Sequence, residues 1–321
     1  MKRSRREPQP ISTAAFFELA YARPPDEADT AVLDAVLPDR CVRSAADAHR
    51  VLVSLDAQSH PTQFAVRAGA GNLTRVELDG FVLWLDADDR AVSAVIAHQR
   101  DWEPHVSAAL RGALAPGAHF VDVGANVGFH TYMAAAIVGA HGSVMAVEAS
   151  AENCRLLQLS KFENDADNVV LLPVALDHQS GAVHLTSHIG TNAGLIDDTF
   201  TELFAARGTT VYATTLDDIA PSRVDVMKID VEGAEFRVLE GARKTLERDR
   251  PVIVMEFSRE MSQRVSRVDP VEALQGVLEV GYRLFVLERE TGERQAFRSA
   301  VALLDDWGDP LRLEDLLLLP D

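Results

Sequence analysis

Between residues 119 and 131 the chain reads HFVDVGANVGFHT. An apolar run interrupted by Asp122 passes into a loop bounded by Gly124 and Gly128. Gly124 lets the chain turn without a Cβ clash, Gly128 permits close approach, and the backbone N–H groups at the next helix start face a ligand. The spacing is Gly-x-x-x-Gly, not the Gly-x-Gly-x-x-Gly of dinucleotide binders. Asp122, two residues before the first glycine, suits a ligand with a positive amino group better than a pyrophosphate. Glu148 ends the next apolar run, SVMAVEA, where an acid can accept both hydroxyls of a ribose. Loop and acid together point to an adenosyl ligand. Without one, the same residues would be a tight turn beside a solvated acid.

Such a loop needs a sheet to carry it. From residue 119 the apolar runs HFVDVG, SVMAVEA, NVVLLPVAL, VDVMKID, PVIVMEFS and YRLFVLE alternate with helical stretches. These are FHTYMAAAIVG, AENCRLLQLSKFE, AEFRVLEGARKTLE and PVEALQGVLEV. Nearly continuous apolar strands between helices predict an α/β fold with a mainly parallel sheet covered on both faces. Residues 177–216 are more polar, with strand-like AVHLTS and TTVYATT, and read as an insertion. Upstream, TRVELDGFVLWLD predicts a hairpin turning at Asp79-Gly80, and WEPHVSAALRGAL a helix ending near Pro116-Gly117. Three short helices are expected over residues 12–60: STAAFFELAYA, DEADTAVLDAVL and SAADAHRVLVSL. The organisation is an N-terminal helical region over 1–65, a hairpin and helix over 66–118, and a ligand-binding core over 119–321.

Composition narrows the partners. Of 321 residues, 47% are hydrophobic, and 31 basic against 49 acidic residues give a net charge of −18. That balance argues against a broad nucleic-acid or anionic-membrane surface, while leaving room for a local basic patch. Cys41 and Cys154 form no metal-like cluster or disulfide framework, which fits a reducing, cytoplasmic setting. The N-terminal MKRSRREPQP holds Arg5-Arg6, but Glu7, Pro8 and Pro10 follow and the next apolar run carries Glu18. A disordered tail is expected there, not a twin-arginine signal. No segment is apolar for long enough to predict a membrane span.

The blocks FVDVGANVGFHT, VMAVEAS, LDDI, VMKIDVEGAEFRVLEGA and PVIVMEFS, with WEPHV upstream, resemble the S-adenosylmethionine-dependent methyltransferases of the FkbM family. The likeness covers about residues 75–290. It implies a class I methyltransferase (Rossmann-like) fold, with a seven-stranded sheet whose last strand is antiparallel. It implies methyl transfer, commonly to a hydroxyl of a sugar or secondary metabolite. On that resemblance Asp122, Gly124, Asn126 and Gly128 hold the methionine part of the cofactor, Glu148 the ribose, and Ala175 sits near the adenine. His130 departs from the family, in which a tyrosine is common at this place.

Methyl transfer from a sulfonium is an in-line displacement, so the protein mainly positions the acceptor and removes its proton. Those groups belong at the ends of the fourth and fifth strands: Lys228-Ile229-Asp230 with Glu232 and Glu235, and Glu256. Asp230 and Glu256 could act as bases or jointly bind Mg²⁺. The spacing offers no third metal ligand, which favours the metal-free version. Alternatively Asp230 caps the next helix, and Glu232 or Glu235 sits in its first turn. His130, His184 and His188 are further candidate bases, and Trp84, Trp102 and Tyr212 candidate acceptor-pocket walls. Two other readings stay open: a nicotinamide-dependent oxidoreductase, against which the missing Gly-x-Gly-x-x-Gly argues, and a non-catalytic S-adenosylmethionine-binding module.

Overall fold

The computed structural model describes residues 11–12, 30, 41–42, 73–189, 192–195, 208–307 and 312–321. Ile11–Ser12 and Cys41–Val42 pair as a short antiparallel ribbon. The N-terminal tail and nearly all of the three helices expected over 12–60 lie outside the described residues.

The hairpin forms as expected, β1 (Leu73–Glu77) against β2 (Val82–Asp86), with Gly80 at φ +89° in the turn. Next come α1 (Ser93–Gln99) and α2 (Pro104–Ala113), then β3 (His119–Val123), α3 (Phe129–Val138), β4 (Ser143–Val147), α4 (Ala151–Glu163) and β5 (Val169–Leu172). The hairpin docks on α4, where Asn164 Oδ1 accepts from the Val82 N–H and Ser160 Oγ from the Trp84 N–H. Residues 175–214 leave the main sheet. There β6 (Ala175–Leu176), β7 (Gly181–Ile189), β8 (Asn192–Leu195) and β9 (Gly208–Thr214) make a second sheet in the order β8-β7-β9-β6. The core resumes with α5 (Leu216–Ile219), β10 (Val226–Ile229), α6 (Glu235–Gly241), α7 (Arg243–Asp249), β11 (Val252–Ser258), α8 (Pro270–Glu279) and β12 (Tyr282–Leu287). It closes with β13 (Arg294–Phe297), α9 (Ala300–Trp307) and β14 (Leu313–Pro320).

Among the described residues the main sheet has eight strands, ordered β13-β12-β14-β11-β10-β3-β4-β5. It is the class I methyltransferase (Rossmann-like) arrangement, with β14 antiparallel to both of its neighbours. One edge strand, β13, is added beyond the expected seven. Alternation along each strand builds two cores. Phe120, Val144, Val226 and Val254 face Leu110, Tyr132 and Leu157 on one side. Val121, Val147, Met227 and Met255 face Leu239, Leu246 and Leu274 on the other.

Two elements differ from expectation. AEFRVLEGARKTLE breaks at Ala242 into α6 and α7. A Cβ on Gly241 would lie 2.2 Å from the Asp177 carbonyl oxygen, so the helix is pressed against a neighbouring loop there. The Asp217 carboxylate then accepts the N–H groups of Lys244 and Thr245 at the start of α7. The second is β14, LEDLLLLP. Its leucines bury on both faces, a pattern that periodicity alone does not separate from a helix. No helix among the described residues is long and apolar enough to cross a membrane.

Candidate functional site

The strand order reverses between β3 and β10, so the crevice at their carboxyl ends is where an open α/β sheet binds ligands. The loop after β3 fills one wall. Gly124, Asn126 and Gly128 all have positive φ, at +76°, +51° and +94°. A Cβ on Gly124 would lie 1.8 Å from the Asp230 carbonyl oxygen, so this glycine brings the β3 and β10 loops into contact. Gly128 makes room for protein, not ligand: a Cβ there would meet Leu157 at 2.6 Å and Tyr132 at 2.8 Å. The loop amides are also spent internally. Gly124 and Ala125 N–H donate to the Val147 carbonyl, Gly128 N–H to that of Ala125, and Asn126 N–H to Glu148 Oε2 at 2.8 Å. The loop therefore serves the crevice through its shape more than through its donors.

Glu148 is 7% exposed, and Ser150 N–H donates to its other oxygen at 2.7 Å. Burial raises it to about 7, although these backbone hydrogen bonds pull the other way. The Asn153 side chain and the Ala149 N–H add further hydrogen bonds to this carboxylate. Glu148, Gly124 and Asp230 line two adjoining clefts. One is mainly apolar, walled by Val147, Ala149, Val174, Ala175, Leu176 and Leu185. The other is polar and charged, and contains Glu103, Asn126, His130, Lys228, Glu232 and Glu256.

Asp122 lines neither cleft. It is 1% exposed and raised by burial; one oxygen accepts from Thr131 Oγ1 at 2.6 Å, while the other, Oδ1, has no hydrogen-bond partner among the described residues. The sheet register sets it beside Lys228, whose Nζ passes on to Asp230 Oδ2 at 2.7 Å. Burial lowers Lys228, but the charges of Asp230, Glu103 and Asp122 outweigh it and keep the ammonium protonated.

Asp230, Glu232 and Glu256 come together, each offering a carboxylate oxygen within 4.8 Å of the others. Glu232, at φ +54°, is carried back toward the strand ends by a left-handed turn that continues through Gly233 at +98°. Glu232 is an expected candidate at these strand ends, but residue spacing alone did not mark it as a third metal ligand. Burial, then the Asp230 charge, raises Glu232 to about 7. Burial, then the charges of Asp230, Glu232, Glu235 and Asp315, pushes Glu256 well above its ordinary value. Glu235 has another part: it is 1% exposed and its Oε1 accepts from the N–H groups of Val231 and Gly233, fixing the turn at the start of α6. Asp230 pairs with Lys228 and makes no cap.

His130 lines the charged cleft, with Nε2 3.2 Å from Ser107 Oγ. Burial, then the charges of Lys228, His105 and Arg111, holds it well below 6.5, so its ring is neutral. His184 reaches Thr210 Oγ1 at 3.1 Å and lines neither cleft. The side chain of His188 lies outside the described residues. Of the three aromatics, Trp102 lines the charged cleft while Trp84 and Tyr212 line neither. Sequence reasoning missed Glu103 and Asn153, which also line it. The available signal for Glu103 was an acid between Trp102 and Pro104, because a residue before proline avoids helical backbone.

A sequence model described as the methyltransferase FkbM domain matches residues 122–284, slightly more than half of the chain. Among solved structures, the chain is similar to methyltransferase FkbM from Methylobacillus flagellatus KT, with 15% identity and a TM-score of 0.39. That match covers 95% of this chain and 58% of the other. Aeropyrum pernix fibrillarin in complex with S-adenosyl-L-methionine has 14% identity over 67% of this chain and 73% of its own, with a TM-score of 0.38. An rRNA methylase from Streptococcus thermophilus has 11% identity over 68% and 93%, also with a TM-score of 0.38. No curated protein matches the chain.

Proposed function

The chain belongs to the FkbM methyltransferase family, and from that premise we propose that it methylates a hydroxyl of a sugar or secondary metabolite with S-adenosylmethionine as donor. The observation that carries this reading is one crevice in which the glycine loop, Glu148 and three clustered carboxylates meet. The residues fit the cofactor. The apolar cleft, with Ala175 in its wall, suits a purine. Glu148, buried where the two clefts adjoin and pre-aimed by the Asn126 and Ser150 N–H groups, suits the ribose diol. Gly124 and Asn126, in the loop beside it, leave room for the methionine part, and Gly128 shapes that loop from behind.

When bound, S-adenosylmethionine supplies an electrophilic methyl group on a sulfonium whose leaving group is a neutral thioether. The chain's own residues then orient the acceptor oxygen and take its proton. Glu256 and Asp230 flank that oxygen, and Lys228 fixes Asp230. Glu232, near 7, is suited to receive a proton near neutrality, and Glu256, pushed well up by burial and the neighbouring charges, holds one more tightly. The neutral His130 is the reserve candidate. The three clustered oxygens also favour a second reading, in which they hold Mg²⁺ that orients and acidifies the hydroxyl. The acidic clefts and the net charge of −18 support a small-molecule acceptor over a nucleic acid.

The test is turnover to S-adenosylhomocysteine with mass spectrometry of products from a panel of sugar and secondary-metabolite acceptors. A mass gain of one methyl on an acceptor oxygen is expected. Methylation only on nitrogen or carbon would overturn the O-methyl assignment. Cofactor binding with no turnover on any acceptor would favour a non-catalytic binding module.

A further inference from the structure

We propose that Glu103 receives the α-ammonium group of the cofactor's methionine tail, the part that sequence spacing suggests for Asp122. The proposal rests on the S-adenosylmethionine reading and deepens it. If the purine fills the apolar cleft and the ribose meets Glu148 where the two clefts join, the amino-acid tail runs into the charged cleft. There its ammonium needs an acceptor.

The carboxylates can be taken in turn. Asp122 also has a buried oxygen without a partner, Oδ1, but its other oxygen is held by Thr131 and it lines neither cleft. Glu148 is tied to the amides of Asn126 and Ser150. Asp230 is tied to Lys228, and its oxygens group with those of Glu232 and Glu256 at the strand ends. Glu103, on the segment entering α2, lines the same cleft but is not one of those three clustered carboxylates. Its Oε2 is buried and accepts no hydrogen bond. A buried carboxylate oxygen without a partner is costly, and a cationic ligand group removes the cost.

The position is also built. Glu103 occupies the N-cap of α2 at φ +45°, a conformation rare for a side chain of this size, yet its carboxylate makes no capping bond. Its side chain lines the cleft instead. Neighbours hold the segment rigid. Ser107 Oγ donates to the Trp102 carbonyl, and His105 Nε2 meets Asp315 Oδ2 at 2.6 Å in the interior. Lys228 lines the same cleft, and one ammonium has three donors, of which Asp230 engages one. Glu103 and Lys228 thus present the opposite charges that a zwitterionic α-amino acid requires. Burial raises Glu103 to about 8 against the pull of the Lys228 charge, and an arriving ammonium would draw the carboxyl into its ionised form.

The experiment uses the full chain and needs no acceptor. Calorimetry would compare S-adenosylhomocysteine, its deaminated analogue and 5′-methylthioadenosine, which lacks the amino-acid tail. Glu103→Gln should weaken S-adenosylhomocysteine by about 10–100-fold, the range of one charged hydrogen bond. It should leave 5′-methylthioadenosine within about two-fold of wild type. The deaminated analogue should lose a similar factor on wild type and almost nothing further on the variant. Glu103→Ala, which also keeps the tail's space open, should repeat the pattern should the glutamine variant fail to fold. Wild-type affinity for S-adenosylhomocysteine in a folded variant overturns the assignment, as does equal loss for all three ligands. If wild type binds none of them, the cofactor reading itself fails, a result distinct from either.

Discussion

Glu148 and Glu256 both stand at carboxyl ends of sheet strands, and burial raises both, yet they are held in opposite ways. Glu148 is fastened by backbone N–H groups from the glycine loop and from its own turn, with the Asn153 side chain beside them. Glu256 accepts no hydrogen bond among the described residues and instead faces the charges of Asp230, Glu232, Glu235 and Asp315. An acid fixed by main-chain donors is pre-aimed and can add a neutral ligand's hydroxyls to its set. An acid crowded by other acids is poised to take up a positive species, either a proton or a cation. The two halves of the crevice therefore divide the work: recognition on the Glu148 side, proton or cation handling on the Glu256 side.

The sharpest way to break that division is to neutralise the crowded side. Asp230→Asn or Glu256→Gln should lower turnover by a factor on the order of 10²–10⁴ while S-adenosylhomocysteine affinity moves by less than about two-fold. Initial-rate assays beside calorimetry read both quantities. If chelation abolishes wild-type turnover and added Mg²⁺ restores it, the carboxylates act through a cation. Turnover that resists chelation leaves them as bases. Full activity in both variants would shift attention to His130.

Changes on the fastened side should show the reverse signature. Glu148→Ala should weaken S-adenosylmethionine by roughly 1.5–3 kcal/mol, through loss of a charged hydrogen bond. Unchanged affinity in a folded variant would refute the ribose assignment. Gly124→Ala tests the contact between the two loops. The new Cβ falls 1.8 Å from the Asp230 carbonyl oxygen at a backbone φ of +76°, so the loops must separate. A cost of about 1–3 kcal/mol in stability is expected from denaturant unfolding, with turnover falling as Asp230 shifts.

The contrast also explains what the sequence could and could not reveal. Because burial on both faces leaves nearly uninterrupted hydrophobic stretches, each of the six apolar runs from HFVDVG to YRLFVLE supplies a strand of the main sheet, although NVVLLPVAL also gives its last two residues to the second sheet. Glu148 was legible because its partners are close in sequence or sit in a recognisable loop. Glu232 was legible as a candidate at the strand ends, but its grouping with Asp230 and Glu256 was not, because that depends on the left-handed turn at 232–233. Glu103 enters the cleft from the segment before α2, and Asp315, which anchors α2 through His105, lies 210 positions further along. The burial of Asp122 was hidden for a related reason. Its spacing before Gly124 is that of a ligand-facing acid, but its side chain meets Thr131, one turn into the next helix.

The smallest expected effect is on stability against pH, and it distinguishes a crowded acid from a solvated one. Glu232 is raised to about 7 in the folded protein, from an ordinary value of 4.5, by burial and then by Asp230. A raised carboxyl binds more protons folded than unfolded, so its contribution favours the native state below about 4.5 and is lost as pH rises through 7. The ligand-free protein should therefore melt at lower temperature at pH 8 than at pH 6. Glu232→Gln removes the titrating group but keeps the side chain's size, so it should flatten that decline and raise the melting point at pH 8 by roughly 1–3 °C. Thermal melts across this pH range are the measurement. A variant that parallels wild type would mean that Glu232 ionises freely in water, and it would then no longer count with Asp230 and Glu256 as one charged cluster.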